Sequence, residues 1–89
     1  MNIYRVVRKD NDHISHGQYV GFVCVAESEE QASHMNPDYD ILYNFPLYYN
    51  FEKPNMGWVS NVSDLDVVLI GTTSLFDEPQ IILTDFWED

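Results

Sequence analysis

The chain has 89 residues, enough for one domain with one hydrophobic core, and its hydrophobic content of 45% argues against intrinsic disorder. Fifteen acids and four bases give a net charge of −11, which disfavours binding to nucleic acid or to an anionic membrane and favours basic partners. No apolar run reaches the length of a membrane span, no signal peptide precedes the first strand pattern, and the single cysteine excludes an intrachain disulfide, so we expect a cytoplasmic protein.

A β-hairpin is predicted at the beginning of the chain. Residues 3–9 carry a strand pattern, residues 10–18 are turn-forming, and Tyr19–Ala26 pairs back as the second strand. The second strand is apolar at both of its alternating sets of positions. That pattern is typical of a strand that is covered on both faces, or nearly so.

A short helix is predicted over residues 29–35. Ser28 and Gln31 have the spacing of a capping box, in which the serine oxygen accepts from the Gln31 backbone N–H and the Gln31 side chain reaches back. The two acids between them suit the positive end of the helix dipole, and Pro37 stops the helix because the residue before a proline avoids the α region. A helix of two turns is not stable alone in water, so we expect it to lie on a sheet.

The second half of the chain is predicted to be a long loop followed by two strands. Residues 38–58 sustain neither the strand period nor the helix period, which predicts an ordered aromatic loop with at most one short strand or helical turn within residues 42–51. Residues 66–70 and Gln80–Phe86 carry strand patterns. The order β-β-α-loop-β-β predicts an α+β fold, a single domain over residues 1–89 with a small antiparallel sheet and one short helix on a face.

Most of the chain, apart from residues 38–56, carries strand, cap and turn motifs that match those of a known protein family. The matching positions are Met1, Ile3, Tyr4, Val6, Arg8, Tyr19, Phe22, Val23, residues 26–32, Pro37, Trp58, Ile70, Gly71, Ile82, Leu83 and Phe86. With these motifs the chain resembles a family of small, mostly uncharacterised proteins encoded by bacterial viruses and prophages. The resemblance implies a phage accessory protein of the anti-CRISPR type or another small acidic anti-defence type, and it implies no catalytic residue.

Two groups of residues could carry metal or nucleophilic chemistry. His13 and His16 could bind a metal together with His34 or Asp12, but no helix fixes them, and a zinc site needs three or four preset ligands. Cys24 lies in the apolar centre of a predicted strand, whereas a catalytic thiol needs partial exposure and a nearby positive group. We therefore predict a solvated histidine loop and a buried structural cysteine.

Acid–base catalysis is disfavoured as well. Pairs of carboxylates recur along the chain, but catalysis requires one carboxyl in an apolar pocket, and nothing in the sequence marks such a pocket. Phosphate-binding glycine loops and the common hydrolase and redox motifs are absent from the sequence. The sequence therefore predicts a protein that is not an enzyme and that has no cofactor and no metal.

The mixture of acids and aromatic residues in residues 38–58 is the best functional candidate. Lys53 is the only base in this segment, which disfavours single-stranded nucleic acid as the ligand. Tyrosine and tryptophan are common anchors of protein interfaces, although they can equally fill the core of a small protein, and the two roles can hold for different residues. The predicted partner-binding residues are Asp38, Asp40, Tyr43, Tyr48, Tyr49, Glu52, Trp58, Asp64 and Asp66.

These features lead to one preferred functional hypothesis and several alternatives. We expect a phage-encoded inhibitor of a bacterial defence system, of the anti-CRISPR or anti-restriction type, which binds a basic nucleic-acid-binding host protein in the host cytoplasm as an acidic DNA mimic. The alternative is a regulatory or assembly module that forms a homodimer through a strand edge or the aromatic loop. A metal-dependent hydrolase that uses His13 and His16 is a third alternative, and the charge can also serve solubility alone.

Overall fold

Two central strands organise the structure, a computed structural model that describes residues 1–9, 18–40, 42–54 and 57–86. The strands are β1 (Asn2–Arg8), β2 (Tyr19–Ala26), β3 (Leu65–Thr72) and β4 (Gln80–Phe86). One α-helix, α1 (Glu29–Ser33), follows β2, and a 3-10 turn (Val62–Asp64) leads into β3. This architecture confirms the α+β fold with a small antiparallel sheet.

The sheet has the strand order β3-β1-β2-β4, and every neighbouring pair is antiparallel. The β1–β2 hairpin therefore forms the centre, and the last two strands add to its two outer sides. Because β3 and β4 lie at opposite edges, residues 73–79 cross the end of both central strands. Two hydrogen bonds of 2.9 Å between the backbones of Met1 and Thr73 fix this crossing.

The two faces of the sheet differ in their cover. Tyr4, Val6, Phe22 and Cys24 project to the face that carries α1 and belong to the main hydrophobic cluster. We call the opposite face, which carries Arg5 and its neighbours in register, the open face. Among the described residues, the prediction that β2 is covered on both faces is therefore met only in part. Val25, which does not belong to the main cluster, is buried at the end of β2 where residues 73–79 cross.

The predicted capping box at the start of α1 is confirmed. The Ser28 Oγ accepts from the Gln31 backbone N–H at 3.1 Å, and the Gln31 Oε1 accepts from the Glu27 backbone N–H at 2.7 Å. The side chain thus reaches back one residue beyond Ser28. Ala32 is fully buried against the sheet, which supplies the packing that such a short helix needs.

The helix ends earlier than residue 35, and the reason lies in its last turn. The His34 N–H bonds to the Gln31 carbonyl, and the His34 Nδ1 lies 2.8 Å from the Glu30 carbonyl oxygen. Met35 is fully buried and forms an isolated bridge with Tyr48, so its backbone leaves the helix to join the following segment.

The strands also differ slightly from their predicted bounds at β1 and β3. β1 is Asn2–Arg8 rather than residues 3–9, and β3 is Leu65–Thr72 rather than residues 66–70. The extension of β3 follows its pairing with β1, which runs from Leu65 opposite Arg8 to Thr72 opposite Asn2. Within the described part of the chain, no helix has the length and apolar content needed to span a membrane.

Candidate partner-binding surface

Residues 38–58 divide into a buried base and an exposed part. The base is held to the end of α1 by backbone hydrogen bonds from Asn36 to Leu47 (2.6 Å) and from Tyr49 to His34 (2.8 Å). The exposed part comprises Tyr39, residues 42–46 and Tyr48, together with the half-buried Asp40, and we call it the aromatic tip. Apart from the two isolated bridges at Met35–Tyr48 and Asp40–Phe45, the described residues of this segment form turns, bends and irregular backbone.

Asp40 organises the aromatic tip. Its backbone forms two hydrogen bonds with the backbone of Phe45, at 3.0 and 3.3 Å, and its Oδ1 accepts from the Leu42 N–H at 2.8 Å. Asn44 has φ 60°, a left-handed conformation that asparagine tolerates better than most residues. The predicted binding residue Asp40 therefore shapes the turn that presents its neighbours.

The aromatic tip exposes large apolar side chains. Tyr43 is 72% exposed and its ring lies 6.5 Å from that of Phe45, while Leu42 is 83% exposed. Tyr48 is also exposed, but its hydroxyl lies 3.1 Å from the Gln31 Nε2, which fixes its position beside α1. Two of the predicted partner-binding residues, Tyr43 and Tyr48, are thus accessible to a partner.

Tyr49 and Trp58, in contrast, lie in the hydrophobic core. The Trp58 ring packs on Phe22 at 5.6 Å, and the Tyr49 ring meets Phe51 edge-on at 4.8 Å. For these two predicted binding residues the structure favours the core-filling role over surface contact. The Trp58 Nε1 is buried without a hydrogen-bond partner in the described structure.

Asp38 joins the segment to the sheet. Its Oδ1 accepts from the Tyr19 hydroxyl at 2.9 Å, and its backbone N–H donates to the Asn36 Oδ1 at 3.0 Å. Burial, and then the hydrogen bond and charge of Asp38, raise the pKa of Tyr19 to about 12. Asp38 is half-buried, so part of its carboxylate is committed within the fold.

The remaining predicted acids do not form one surface with the aromatic tip. Glu52 is exposed in a turn where its N–H donates to the Asn50 Oδ1 at 3.0 Å. Asp64 is exposed at the end of the 3-10 turn, and its carbonyl accepts from the Lys9 N–H at 2.8 Å. Asp66 lies on the open face, opposite Val7, whereas the 38–58 segment packs on the other side of the sheet.

The predicted alternatives to partner binding can be placed only in part. Cys24 is free and fully buried, as predicted, and burial raises the pKa of its thiol to about 12, which opposes thiolate formation. His34 faces the end of α1 and the ring of Phe51 at 5.8 Å. His13 and His16 lie outside the described residues, and the remaining part of the chain holds no cluster of three potential metal ligands.

A surface that the sequence hypotheses did not include is the open face. On this face Val68 of β3, which pairs with Arg5, is 50% exposed, and Leu83 of β4 is 64% exposed. A hollow of about 380 Å³ lies around Gly21 on this face. The signal for it is present in the sequence, because β3 and β4 each contain a continuous apolar run, as β2 does, rather than the alternation of a solvated strand.

No family model, no curated protein and no solved structure matches the chain. The resemblance to small phage proteins therefore stays an expectation from the sequence motifs.

Proposed function

We propose that the chain is a non-catalytic inhibitor of a bacterial defence system, encoded by a phage and acting in the host cytoplasm. It binds a basic nucleic-acid-binding protein of the host and occludes the surface that DNA would occupy. The observation that carries this proposal is an exposed aromatic tip on a chain of net charge −11.

Charge supplies the general attraction to such a target. DNA carries about one negative charge per ~1.7 Å of helix axis, so a protein that binds it presents a basic surface. Glu52 and Asp64 are exposed and project from two different turns, while the basic residue Arg8 is buried and adds little to the surface. Charge raises the rate of encounter more than it raises the specificity of the complex.

The aromatic tip supplies the specific contact. Tyrosine side chains bury a large area with little loss of conformational freedom, and a few such residues dominate most interfaces. The paired backbone of Asp40 and Phe45 holds Tyr43 in place before binding, which reduces the ordering cost on association. Asp40 therefore acts through the shape of the tip as well as through its charge.

The first experiment is capture of a partner, followed by a direct assay of inhibition. The tagged chain is incubated with a bacterial lysate and washed at low and then at high salt, and bound proteins are identified by mass spectrometry. The purified target is then tested for DNA binding in the presence of the chain. We expect a basic nucleic-acid-binding complex that is released at high salt and that loses DNA binding when the chain is added.

Matched variants locate the contact. Asp64→Lys and Glu78→Lys change the net charge equally, and both positions are exposed, but only Asp64 is among the predicted partner-binding residues. Tyr43→Ala removes an exposed anchor, and we expect it to weaken inhibition by about tenfold or more. A target whose DNA binding is unaffected by the chain, or equal effects of the two charge reversals, would contradict the proposal.

A further inference from the structure

The register of the four strands arranges the open face in two rows that run across the sheet. The first row contains Asp66, Val7, Gly21 and Asp85, and the second contains Val68, Arg5, Val23 and Leu83. Neighbouring strands lie about 4.8 Å apart, and rows two residues apart lie about 7 Å apart. The face therefore has an acid at each edge of one row and a single base near the centre of the other.

This face differs from the solvated face of an ordinary antiparallel sheet. On such a face the side chains that point to water are mostly polar. Here, in contrast, Val68 is 50% exposed and Leu83 is 64% exposed. Val7 and Val23, between them on the central strands, are half-buried. Exposed apolar patches of this kind mark interaction surfaces in folded proteins.

The hollow at Gly21 makes this surface concave at one place. A Cβ atom built on Gly21 would collide with the Val6 carbonyl oxygen, because β1 and β2 approach closely here, and Gly21 contributes no side chain to the lining of the hollow. Val7, Val23 and Leu83 stand around it, with Arg5 on one side and Asp85 on the other. The depression is large enough to receive an aliphatic side chain from another molecule.

We propose that the open face binds the open face of a second copy of the chain, in a twofold-symmetric dimer. A twofold axis parallel to the sheet and midway between Arg5 and Asp85 exchanges these two positions. Each guanidinium then faces the Asp85 carboxylate of the second copy, which gives two equivalent ion pairs.

The same rotation makes the apolar contacts complementary. When the twofold rotation is applied to the strand register with the spacings above, Leu83 lies over Val23 of the second copy. Val7 then lies over the second copy's hollow at Gly21. A basic partner fits this face less well, because Arg5 would repel its positive charges at the centre. The contact also differs from the strand edge and the aromatic loop that the sequence offered for self-association.

The dimer is expected to be weak and to respond to salt in a characteristic direction. The face is four strands wide, about 19 Å, and only a few rows long, so the interface lies near or below the roughly 1,000–1,200 Å² of the smallest specific interfaces. We expect a dissociation constant on the order of 100 μM. Because each copy has a net charge of −11, added salt screens the overall repulsion and strengthens the dimer. The proposed inhibition of a basic target has the opposite salt dependence, so each proposal can fail without the other.

Sedimentation velocity of the full chain, from about 10 μM to about 1 mM, tests the proposal. The dimer fraction should rise with concentration, and it should be larger at about 0.5 M than at about 0.05 M salt. Arg5→Glu should abolish the dimer, whereas Lys53→Glu, an equal change of charge at an exposed position off the sheet, should leave it intact. A monomer throughout this range would overturn the proposal.

Two further comparisons separate this face from other modes of association. Arg5→Glu combined with Asp85→Arg should restore the dimer, because the exchange returns both ion pairs. Leu83→Ser should weaken it at least tenfold, and Leu42→Ser, at the exposed aromatic tip, should not. A dimer that is lost with Leu42→Ser, or that survives Arg5→Glu and Leu83→Ser, would show that another surface is used. Circular dichroism confirms that each variant is folded.

Discussion

The Tyr19 hydroxyl donates a hydrogen bond of 2.9 Å to the Asp38 carboxylate and so ties the first residue of β2 to the start of the 38–58 segment. The Tyr19 ring also packs on Phe86 of β4 at 4.7 Å. One residue thereby connects the central hairpin, an edge strand and the segment that carries the aromatic tip. Its ionisation should affect all three.

The stability of the fold should decline in alkali because of Tyr19. The pKa of this hydroxyl is raised to about 12, mainly by burial and then by Asp38, so the folded state keeps a proton that the unfolded state loses near pH 10. Its contribution is fully present below pH ~10 and is lost as the pH rises through ~12. Urea midpoints measured between pH 8 and pH ~12 should show this decline.

Asp38→Asn should make the alkaline decline shallower. Removal of the carboxylate lowers the pKa of Tyr19 toward its ordinary value but not to it, because burial is the larger cause. Asp77→Asn, at an exposed position between β3 and β4, makes the same change of charge and serves as the control. Identical slopes for the two variants would contradict the assigned role of Asp38.

Cys24 should resist thiol reagents in the native protein. Its side chain is fully buried, and burial raises the pKa of the thiol to about 12. At pH 8 the reagent therefore cannot reach the sulfur, and the sulfur is not in its reactive thiolate form. In buffer we expect the reaction with Ellman's reagent to be slow, because its rate is set by unfolding of the protein. In about 8 M urea, where the chain is unfolded, the reaction should be fast. Rapid modification in buffer would show that the central strand is accessible.

Trp58→Phe should be far better tolerated than Trp58→Ala. The ring packs on Phe22, and truncation to alanine should cost about 3–5 kcal/mol of unfolding free energy. Phenylalanine keeps a ring in this place and removes the unpaired Nε1, whose burial costs about 1–3 kcal/mol, so the loss should be within about 1 kcal/mol. Chemical denaturation measures both values. Equal losses would mean that the Nε1 has a partner in solution.

Gly21→Ala and Gly71→Ala form a matched pair on two strands, β2 and β3, that both pair with β1. A Cβ on Gly21 collides with the Val6 carbonyl, whereas a Cβ on Gly71 meets only the Ile3 Cδ1, at 3.8 Å. We expect Gly21→Ala to destabilise by about 1–3 kcal/mol or more, since backbone must shift. Gly71→Ala should be neutral or stabilising by up to about 1 kcal/mol, because alanine lowers the conformational entropy of the unfolded chain. Similar denaturation midpoints for the two variants would argue against the close β1–β2 approach.

Several elements could be predicted from the sequence because their causes are local. β2 and β4 have the predicted bounds, and the cap of α1 forms between residues three apart. Alternation along a strand and a serine before a helix depend only on a few neighbouring residues. The fold class follows from the order of such elements along the chain.

The candidate site could be predicted only in outline. Tyr48 and Tyr49 are adjacent in the sequence, yet Tyr48 is exposed beside Gln31 and Tyr49 is buried in the core. Adjacent side chains of an extended segment point to opposite sides, and composition does not say which side meets the sheet. Asp66 follows the 38–58 segment closely in the sequence, yet it lies on the opposite face of the sheet from that segment.

The sequence by itself thus determined the elements, the charge and the presence of more apolar surface than one sheet face needs. Only the tertiary structure decided the strand order, which places β3 and β4 on opposite edges and leaves one face open. That order depends on contacts between residues far apart in the chain, such as Met1 with Thr73 and Tyr19 with Asp38. Such contacts are selected by the packing of the whole core, and no short stretch of sequence encodes them.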